Sequence, residues 1–408
     1  MDNDHKVLGK KLDLFTFSDT VGKGLPLWTP NGATIRRELE RFIVDEEIKR
    51  GYLHVYTPDI AKLDLYKKSG HYPYYKDSMY APIKIEDEEF MLRPMTCPHH
   101  FELYLDRPRS YKELPIRYAE LAKLYRFEKS GELMGLIRTR SFCLADAHII
   151  ARKDQVVEEL NKVLDLIDFV TKTLGLTKNK DYSYRLSLGD RSNTKKYYKD
   201  DKAWEEGEKV LRSVLKSRKE IFKEAKDEAA FYGPKIDIQM VNSNGKEDTA
   251  FTVQYDFVFP KRFNLTYINE KRKKEEALVI HRSSIGAVER IIAFLIEKYK
   301  GAFPIWLSPI QVKILPITER NNGYSRKIFD KLKEKNIRVI LDNRNETLGG
   351  KIRDAQNEKI PYMLIVGDKE EKENKISIRG RSGKDYGLLN LSDFVKNITK
   401  EIKNKSLS

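Results

Sequence analysis

Along residues 34–51, "TIRRELERFIVDEEIKRG", the apolar side chains Ile35, Leu39, Phe42 and Ile43 recur at helical spacing and the pattern stops at Gly51. "YLHVYTP" then alternates toward Pro58, so a helix runs into a strand. Residues 153–175, "KDQVVEELNKVLDLIDFVTKTLG", predict the longest amphipathic helix. In "DIQMVNSNGKEDTAFTVQYDF" the pair Asn244-Gly245 separates two strand-like runs, the strongest short-range hairpin signal. Antiparallel strands therefore dominate the middle of the chain. A largely apolar helix over 286–301 ends at Gly301, and "FPIWLSPI" reads as a linker.

Past that linker the grammar changes. Strand and helix alternate through "IQVKILPIT", "SRKIFDKLKEKN", "IRVILD", "LGGKIRDAQNEK" and "PYMLIVG", then "NKISIRG" and "SDFVKNITKEIKNK". That pitch predicts a small α/β domain with a largely parallel sheet and a boundary near 301–309. "KRKKEE" at 271–276 reads as a solvated loop between strands.

Composition narrows the class. A 408-residue chain with 40% hydrophobic residues has the length of two or three domains and enough apolar surface for real cores. Two cysteines, Cys97 and Cys143, cannot build a disulfide framework, and the first residues contain no apolar leader, so a cytoplasmic reducing compartment is expected. No apolar run reaches the roughly 18 residues that would cross a bilayer, so no membrane is expected as a partner. The net charge of +15 suits a polyanionic partner, although solubility charge explains it equally well. Residues 301–408 hold 22 basic and 14 acidic side chains, about half of the surplus.

The chemistry begins at "MLRPMTCPHHF", residues 91–101, where Cys97 stands beside His99 and His100 without the second cysteine of a zinc knuckle. Cys97 is either a buried thiol or a ligand whose partners lie far away in sequence. His148, after "SFCLAD", and His281, ending "ALVIHR", each read alone as hydrogen-bonded core histidines. Taken with Cys97 they would form a three-ligand set that leaves the fourth position of zinc open. Spacing does not decide between these readings. In "LYRFEKSGELMGLIRTRSF", Arg126 and Glu128 precede a glycine-containing turn, and Arg138 and Arg140 follow it. Two arms carrying arginines can clamp a triphosphate, because guanidinium forks bind phosphate oxygens in pairs; a solvated hairpin is the alternative. Arg290, inside the apolar "AVERIIAFLI", needs a partner, either a phosphate or an internal glutamate.

Together "MLRPMTCPHHF", "YRFEKSGELMGLIRTRSFCLADAHII", "FYGPKIDI", "LVIHRSSIGAVERIIAFLIE" and "PYMLIVGDKEE" resemble the threonyl-tRNA synthetase family of class II aminoacyl-tRNA synthetases, over nearly the whole chain. The resemblance implies an α+β catalytic domain, an antiparallel sheet flanked by helices, over 1–304. It implies a small α/β anticodon-binding domain with a mixed, largely parallel sheet over 305–408. The implied activity is ATP-dependent ligation of L-threonine to tRNA(Thr) through a threonyl-adenylate.

In such an enzyme Cys97, His148 and His281 would hold a catalytic zinc, and Asp146 would receive the threonine hydroxyl. A metal that ligates amine and hydroxyl rejects valine, which an apolar pocket separates poorly from threonine. By the same resemblance Arg126 would hold the α-phosphate and the threonine carboxylate, Glu128 the adenine amino group, and Arg138 and Arg290 the outer phosphates. Phe142 would stack with Arg290 around adenine, Gln254 would line the pocket, and Lys235 would neutralise the α-phosphate, with Mg²⁺ on the polyphosphate. His71 would accept the proton when the terminal ribose hydroxyl of tRNA attacks, and Asn345, Glu370 and Arg379 would read anticodon bases. A homodimer is implied, with residues 34–58 at the interface.

The pattern also departs from that family. Leu144 stands in place of a usual glutamine, Thr249 and Phe251 replace Gln and Gly, Ala287 replaces a serine, and "CPHH" replaces "CPGH". The chain begins where the family's catalytic domain begins, so it is expected to mischarge serine by itself and to be either a piece of a longer chain or reliant on a separate editing factor. A synthetase for proline or serine, or an inactive RNA-binding paralogue, are the competing expectations.

Overall fold

In the computed structural model, which describes residues 3–242 and 245–407, the first long helix, α1, runs Pro30–Lys49. Proline suits the first turn of a helix because its fixed φ is already helical, and Gly51, at φ +78°, turns the chain out of it. At 20 residues α1 is the longest helix of the described residues, ahead of the 18 of Val156–Thr173. The chain divides into two compact units: Met1–Thr16, Leu27–Leu39 and Leu295–Ser408 in one, Phe17–Pro26 and Glu40–Phe294 in the other.

An eight-stranded sheet organises the second of these. Its strands are β1 (Leu53–His54), β2 (Ile116–Tyr125), β3 (Ser141–Ala151), β4 (Tyr182–Ser187), β5 (Phe222–Ala225), β6 (Lys235–Val241), β7 (Glu247–Asp256) and β8 (Leu278–Ala287). In space they lie β5-β4-β6-β7-β8-β3-β2-β1. The two outermost pairs are parallel and every other pair is antiparallel. Three helices accompany the sheet: α2 (Cys97–Leu105), α3 (Val156–Thr173) and α4 (Asp201–Ser217). The last two pack on it because their apolar positions recur at helical period: Leu160, Val163, Leu164, Ile167 and Val170 are buried in α3, and Trp204, Leu211, Val214 and Leu215 in α4. The expected hairpin is β6–β7; Asn244 of its turn lies outside the described residues, and Gly245 takes φ +76°.

Register lines up the polar positions. Lys235, Gln254, His281 and His148 are successive cross-strand partners over β6, β7, β8 and β3. One step along, Asp237, Thr252, Ser283, Asp146 and Glu120 form a neighbouring row. Side chains two apart share a face of a strand, so Phe142, Leu144, Asp146 and His148 point the same way. β8 slips register between Ser283 and Ala287, where Gly286 has φ +70° and a Cβ would sit 2.0 Å from the Ala250 carbonyl oxygen. Only glycine fits there, and the chain turns directly into α5 (Val288–Tyr299), with Arg290 in its first turn.

The other unit holds a five-stranded sheet of β9 (Val312–Pro316), β10 (Val339–Leu341), β11 (Tyr362–Val366), β12 (Ile376–Gly380) and β13 (Asp385–Leu389), ordered β10-β9-β11-β12-β13. β9 is parallel to β10 and β11, while β11–β12 and β12–β13 are antiparallel, so the sheet is mixed rather than largely parallel. β13 escaped the sequence pattern because it is mostly exposed and shows no apolar alternation. Val312, Ile314, Leu364, Val366, Ile376, Ile378, Phe394 and Ile398 form its core. "FPIWLSPI" is more than a linker: Phe303, Ile305, Trp306 and Leu307 are buried. "KRKKEE" is partly strand, Lys274–Glu276 pairing antiparallel with Thr266–Ile268 while staying exposed.

Candidate active site

Cys97, His148 and His281 come together. All three are buried, and one donor atom from each lies within 4.8 Å of the others. Cys97 opens α2, whereas the histidines are cross-strand partners with ring centroids 4.6 Å apart at 89°. His281 Nε2 lies 2.7 Å from Asp256 Oδ2, and Asp256 Oδ1 accepts from the backbone N–H groups of Val258 and Phe259 at 2.8 and 3.0 Å. His148 Nδ1 lies 2.8 Å from His100 Nδ1.

The donor chemistry fits zinc. Burial holds His148 well below its ordinary pKa, so the imidazole is neutral and keeps a lone pair for a metal. Burial, with Asp146 and Asp256 nearby, pushes the Cys97 thiol well up, a bias that a bound dication would reverse. One sulfur and two imidazoles at these separations suit bonds of about 2.0 to 2.3 Å and leave a fourth position for substrate. All three line a cavity of about 730 Å³.

The same cavity gathers the arginines. Burial lowers the pKa of Arg126, whose Nε donates to the Pro94 carbonyl at 3.3 Å and whose guanidinium lies 5.2 Å from the centre of the Phe142 ring. Burial lowers Arg290 as well; Asp248 opposes this, and the charges of Arg126 and Arg138 add to it. Arg290 donates Nε to the Ile137 carbonyl at 3.0 Å and Nη1 to the Thr249 carbonyl. Among the described residues neither Arg126 nor Arg290 forms an ion pair. Two half-buried guanidinium groups without a carboxylate, close enough to repel each other, make a ready anion site.

Arg138 forks onto Glu128 at 2.9 and 2.8 Å, so these two side chains hold each other across the loop between β2 and β3. Phe142 lies against Arg126. Lys235 Nζ is 2.9 Å from Asp237 Oδ2, and Gln254 Oε1 accepts from the Tyr232 hydroxyl. Asp146 Oδ2 lies 3.9 Å from His148 Nε2. His71, the expected proton acceptor, is buried: Nδ1 lies 2.7 Å from Ser69 Oγ, Nε2 3.9 Å from Cys97 Sγ, and Phe259 and Phe231 pack on its ring. Burial, then His281 and Arg126, bring its pKa down to about 3. Of the departures, Leu144, Thr249 and Ala287 line the cavity, Leu144 opposite Ala287, while Phe251 is core.

Sequence reasoning missed Asp256, His100, Glu120 and Tyr232, which surround the ligands. Asp256 continues the period-two row of Thr252 and Gln254; nothing local marks Glu120. In the other unit, Asn345 is exposed before the helix α6 (Leu348–Asn357), and Arg379 is half-buried on β12. Glu370 is buried at the start of the helix α7 (Asp368–Glu373), where Oε2 accepts from Gly367 N at 2.9 Å and Oε1 from Ser377 Oγ at 2.7 Å.

A mainly antiparallel sheet carrying an arginine-lined cavity is the kind of core that a family profile also recognises here. "tRNA synthetase class II core domain (G, H, P, S and T)" matches residues 80–299, and "Anticodon binding domain" matches 311–401. The chain belongs to the class II tRNA synthetases of this group. It is 48% identical over 405 residues to the threonine–tRNA ligase of Geobacillus kaustophilus (strain HTA426), covering 99% of this chain and 62% of the relative. The threonine–tRNA ligase of Staphylococcus carnosus (strain TM300) is 47% identical over 406 residues with the same coverage. A crystal structure of the RNA binding domain of threonyl-tRNA synthetase from Cryptosporidium parvum Iowa II superposes with TM-score 0.92 at 35% identity, covering 98% of each chain. The chain thus spans about 62% of the length of the curated relatives it matches.

Proposed function

We propose that this chain ligates L-threonine to tRNA(Thr) with ATP, through a threonyl-adenylate. The observation that carries the reading is one cavity holding both the Cys97, His148 and His281 donor set and the unpaired Arg126 and Arg290. A zinc ion on those three residues would supply a Lewis-acid position for the amine and hydroxyl of threonine, which valine's methyl group cannot use. Asp146, beside His148, accepts from the threonine hydroxyl. Arg126 holds the threonine carboxylate against the α-phosphate, Arg290 and Arg138 take the outer phosphates of Mg²⁺-bound ATP, and Lys235 offsets charge as the carboxylate attacks in line. Arg138 must then release Glu128, leaving that carboxylate for the adenine amino group; Phe142 and Gln254 complete the pocket. His71 is the proton acceptor for the second step.

The smaller sheet serves as the anticodon reader, with the catalytic part over 1–304 and the anticodon-binding part over 305–408. Its surplus of basic side chains suits a tRNA backbone, with Asn345 and Arg379 on bases and Glu370 shaping the β12 end. The chain pairs as a homodimer through β1 and the end of α1, where Ile48, Leu53, Tyr56 and Ile60 are exposed apolar side chains. Cytoplasm is the compartment this reading assigns: neither cysteine is in a disulfide.

Pyrophosphate exchange with threonine, serine, valine and proline, with and without a chelator, tests the proposal. Threonine-dependent exchange that a chelator abolishes is expected; exchange with proline but not threonine overturns it.

A further inference from the structure

The two histidines of the donor set are held by opposite nitrogens, His148 through Nδ1 and His281 through Nε2. Each leads to a carboxylate with one oxygen held by donors that cannot reverse. Asp256 Oδ1 accepts from the Val258 and Phe259 backbone N–H groups, and these donors cannot reverse. Asp256 Oδ2 is therefore the oxygen facing His281 Nε2, and a carboxylate can only accept. Across the site, Glu120 Oε1 accepts from Arg93 Nη1 at 3.0 Å and from the Thr57 backbone N–H at 3.2 Å. Its Oε2 accepts from Thr57 Oγ1 at 2.7 Å and lies 3.2 Å from His100 Nε2. His100 is fully buried.

Polarity then propagates in one direction. His100 must carry its proton on Nε2 to meet Glu120, which leaves Nδ1 as a lone pair; that lone pair requires a proton on His148 Nδ1. Asp256 likewise requires a proton on His281 Nε2.

We infer that Glu120, acting through His100, and Asp256, acting directly, are positioning residues that set the tautomers of His148 and His281, so that His148 Nε2 and His281 Nδ1 present their lone pairs to a metal beside Cys97. The inference rests on the zinc reading of the Cys97 set only for its consequence; the tautomers stand or fall in the metal-free protein.

Replacing either carboxylate by its amide is close to isosteric and reverses the polarity. In Glu120→Gln the amide oxygen must stay on Arg93 Nη1 and Thr57 N, which turns the NH₂ toward His100 Nε2 and makes the Thr57 hydroxyl, a donor to Oε2 in the parent, turn to accept. His100 then donates from Nδ1, and His148 is left with its proton on Nε2, on the metal side. Asp256→Asn does the same to His281 in one step. In His100→Gln, by contrast, the amide donates to Glu120 and accepts from His148 Nδ1, keeping the original direction.

The test has two arms. In the chelator-treated parent protein with ¹⁵N-labelled histidine, nitrogen NMR should show His148 protonated on Nδ1 and His281 on Nε2; the reverse tautomer at either residue overturns the inference without any variant. Zinc competition against a chelator should then show Glu120→Gln and Asp256→Asn weakened about 10- to 100-fold, with His100→Gln much closer to the parent. Amide variants that unfold like the parent when metal-free yet bind zinc as tightly overturn it as well. A parent that binds no zinc but shows the stated tautomers refutes the zinc reading and leaves the relay intact.

Discussion

Arg282 Nη1 meets Glu47 Oε1 at 2.6 Å, joining β8 to α1 with both side chains removed from water. Ser284 Oγ donates to the same oxygen at 2.8 Å, and Arg282 lies over the Tyr52 ring at 4.1 Å. Burial would raise the Glu47 pKa, but the charge of Arg282 and hydrogen bonds from His54 and Ser284 outweigh it and hold the carboxyl below its ordinary value. Removing one partner strands the other as a buried charge. Glu47→Ala should therefore destabilise the fold by about 3–5 kcal/mol. Urea unfolding of the two proteins checks this, and a loss under 1 kcal/mol would contradict the burial argument.

Arg290 has no carboxylate of its own and is repelled by Arg126 and Arg138. Arg290→Ala should relieve that repulsion but leave the Ile137 and Thr249 carbonyls without their donor, so these oppose each other and the net change in stability should stay within about 2 kcal/mol. Threonine-dependent pyrophosphate exchange should fall about 10²- to 10³-fold, the usual loss when one donor to a charged transition state is removed. Parallel melting curves and exchange assays separate the two effects.

Acid should weaken the protein through Glu120. Burial raises its pKa, but hydrogen bonds from His100 and Thr57 and the charge of Arg93 outweigh that and bring it to about 2, below the ordinary 4.5. A depressed folded pKa means that its contribution is complete above about pH 4.5 and is lost as pH falls toward 2, because the unfolded chain takes up the proton first. The slope from this one group is at most about 1.4 kcal/mol per pH unit. Stability curves measured between those limits should be shallower for Glu120→Gln than for the parent.

Tyr56 is 93% exposed beside the edge strand β1, with Leu53 and Ile60 also uncovered. A charge there should disfavour any isologous pairing of that surface. On the proposed homodimer, Tyr56→Asp should shift the mass seen by light scattering from dimer toward monomer while the melting curve of the monomer is retained. A variant that stays dimeric would place the interface elsewhere.

Local grammar in the chain already contained the main helices, the β6–β7 hairpin and the strand-helix alternation past residue 311. These follow from apolar spacing and turn residues within a dozen positions, which is why they can be read without a fold. Residue type alone also marked Cys97, His148, His281, Arg126 and Arg290 as side chains needing explanation, since buried thiols, imidazoles and guanidinium groups need partners. Tertiary structure decided who those partners are. Cys97 and His281 are far apart in the chain, and only the β3–β8 register and the start of α2 bring them into reach of His148. Glu120 and Asp256 looked like ordinary strand carboxylates until that register set one beside His100 and the other beside His281. Hydrogen bonds and metal sites depend on distances of a few ångströms, which strand pairing sets and sequence spacing does not.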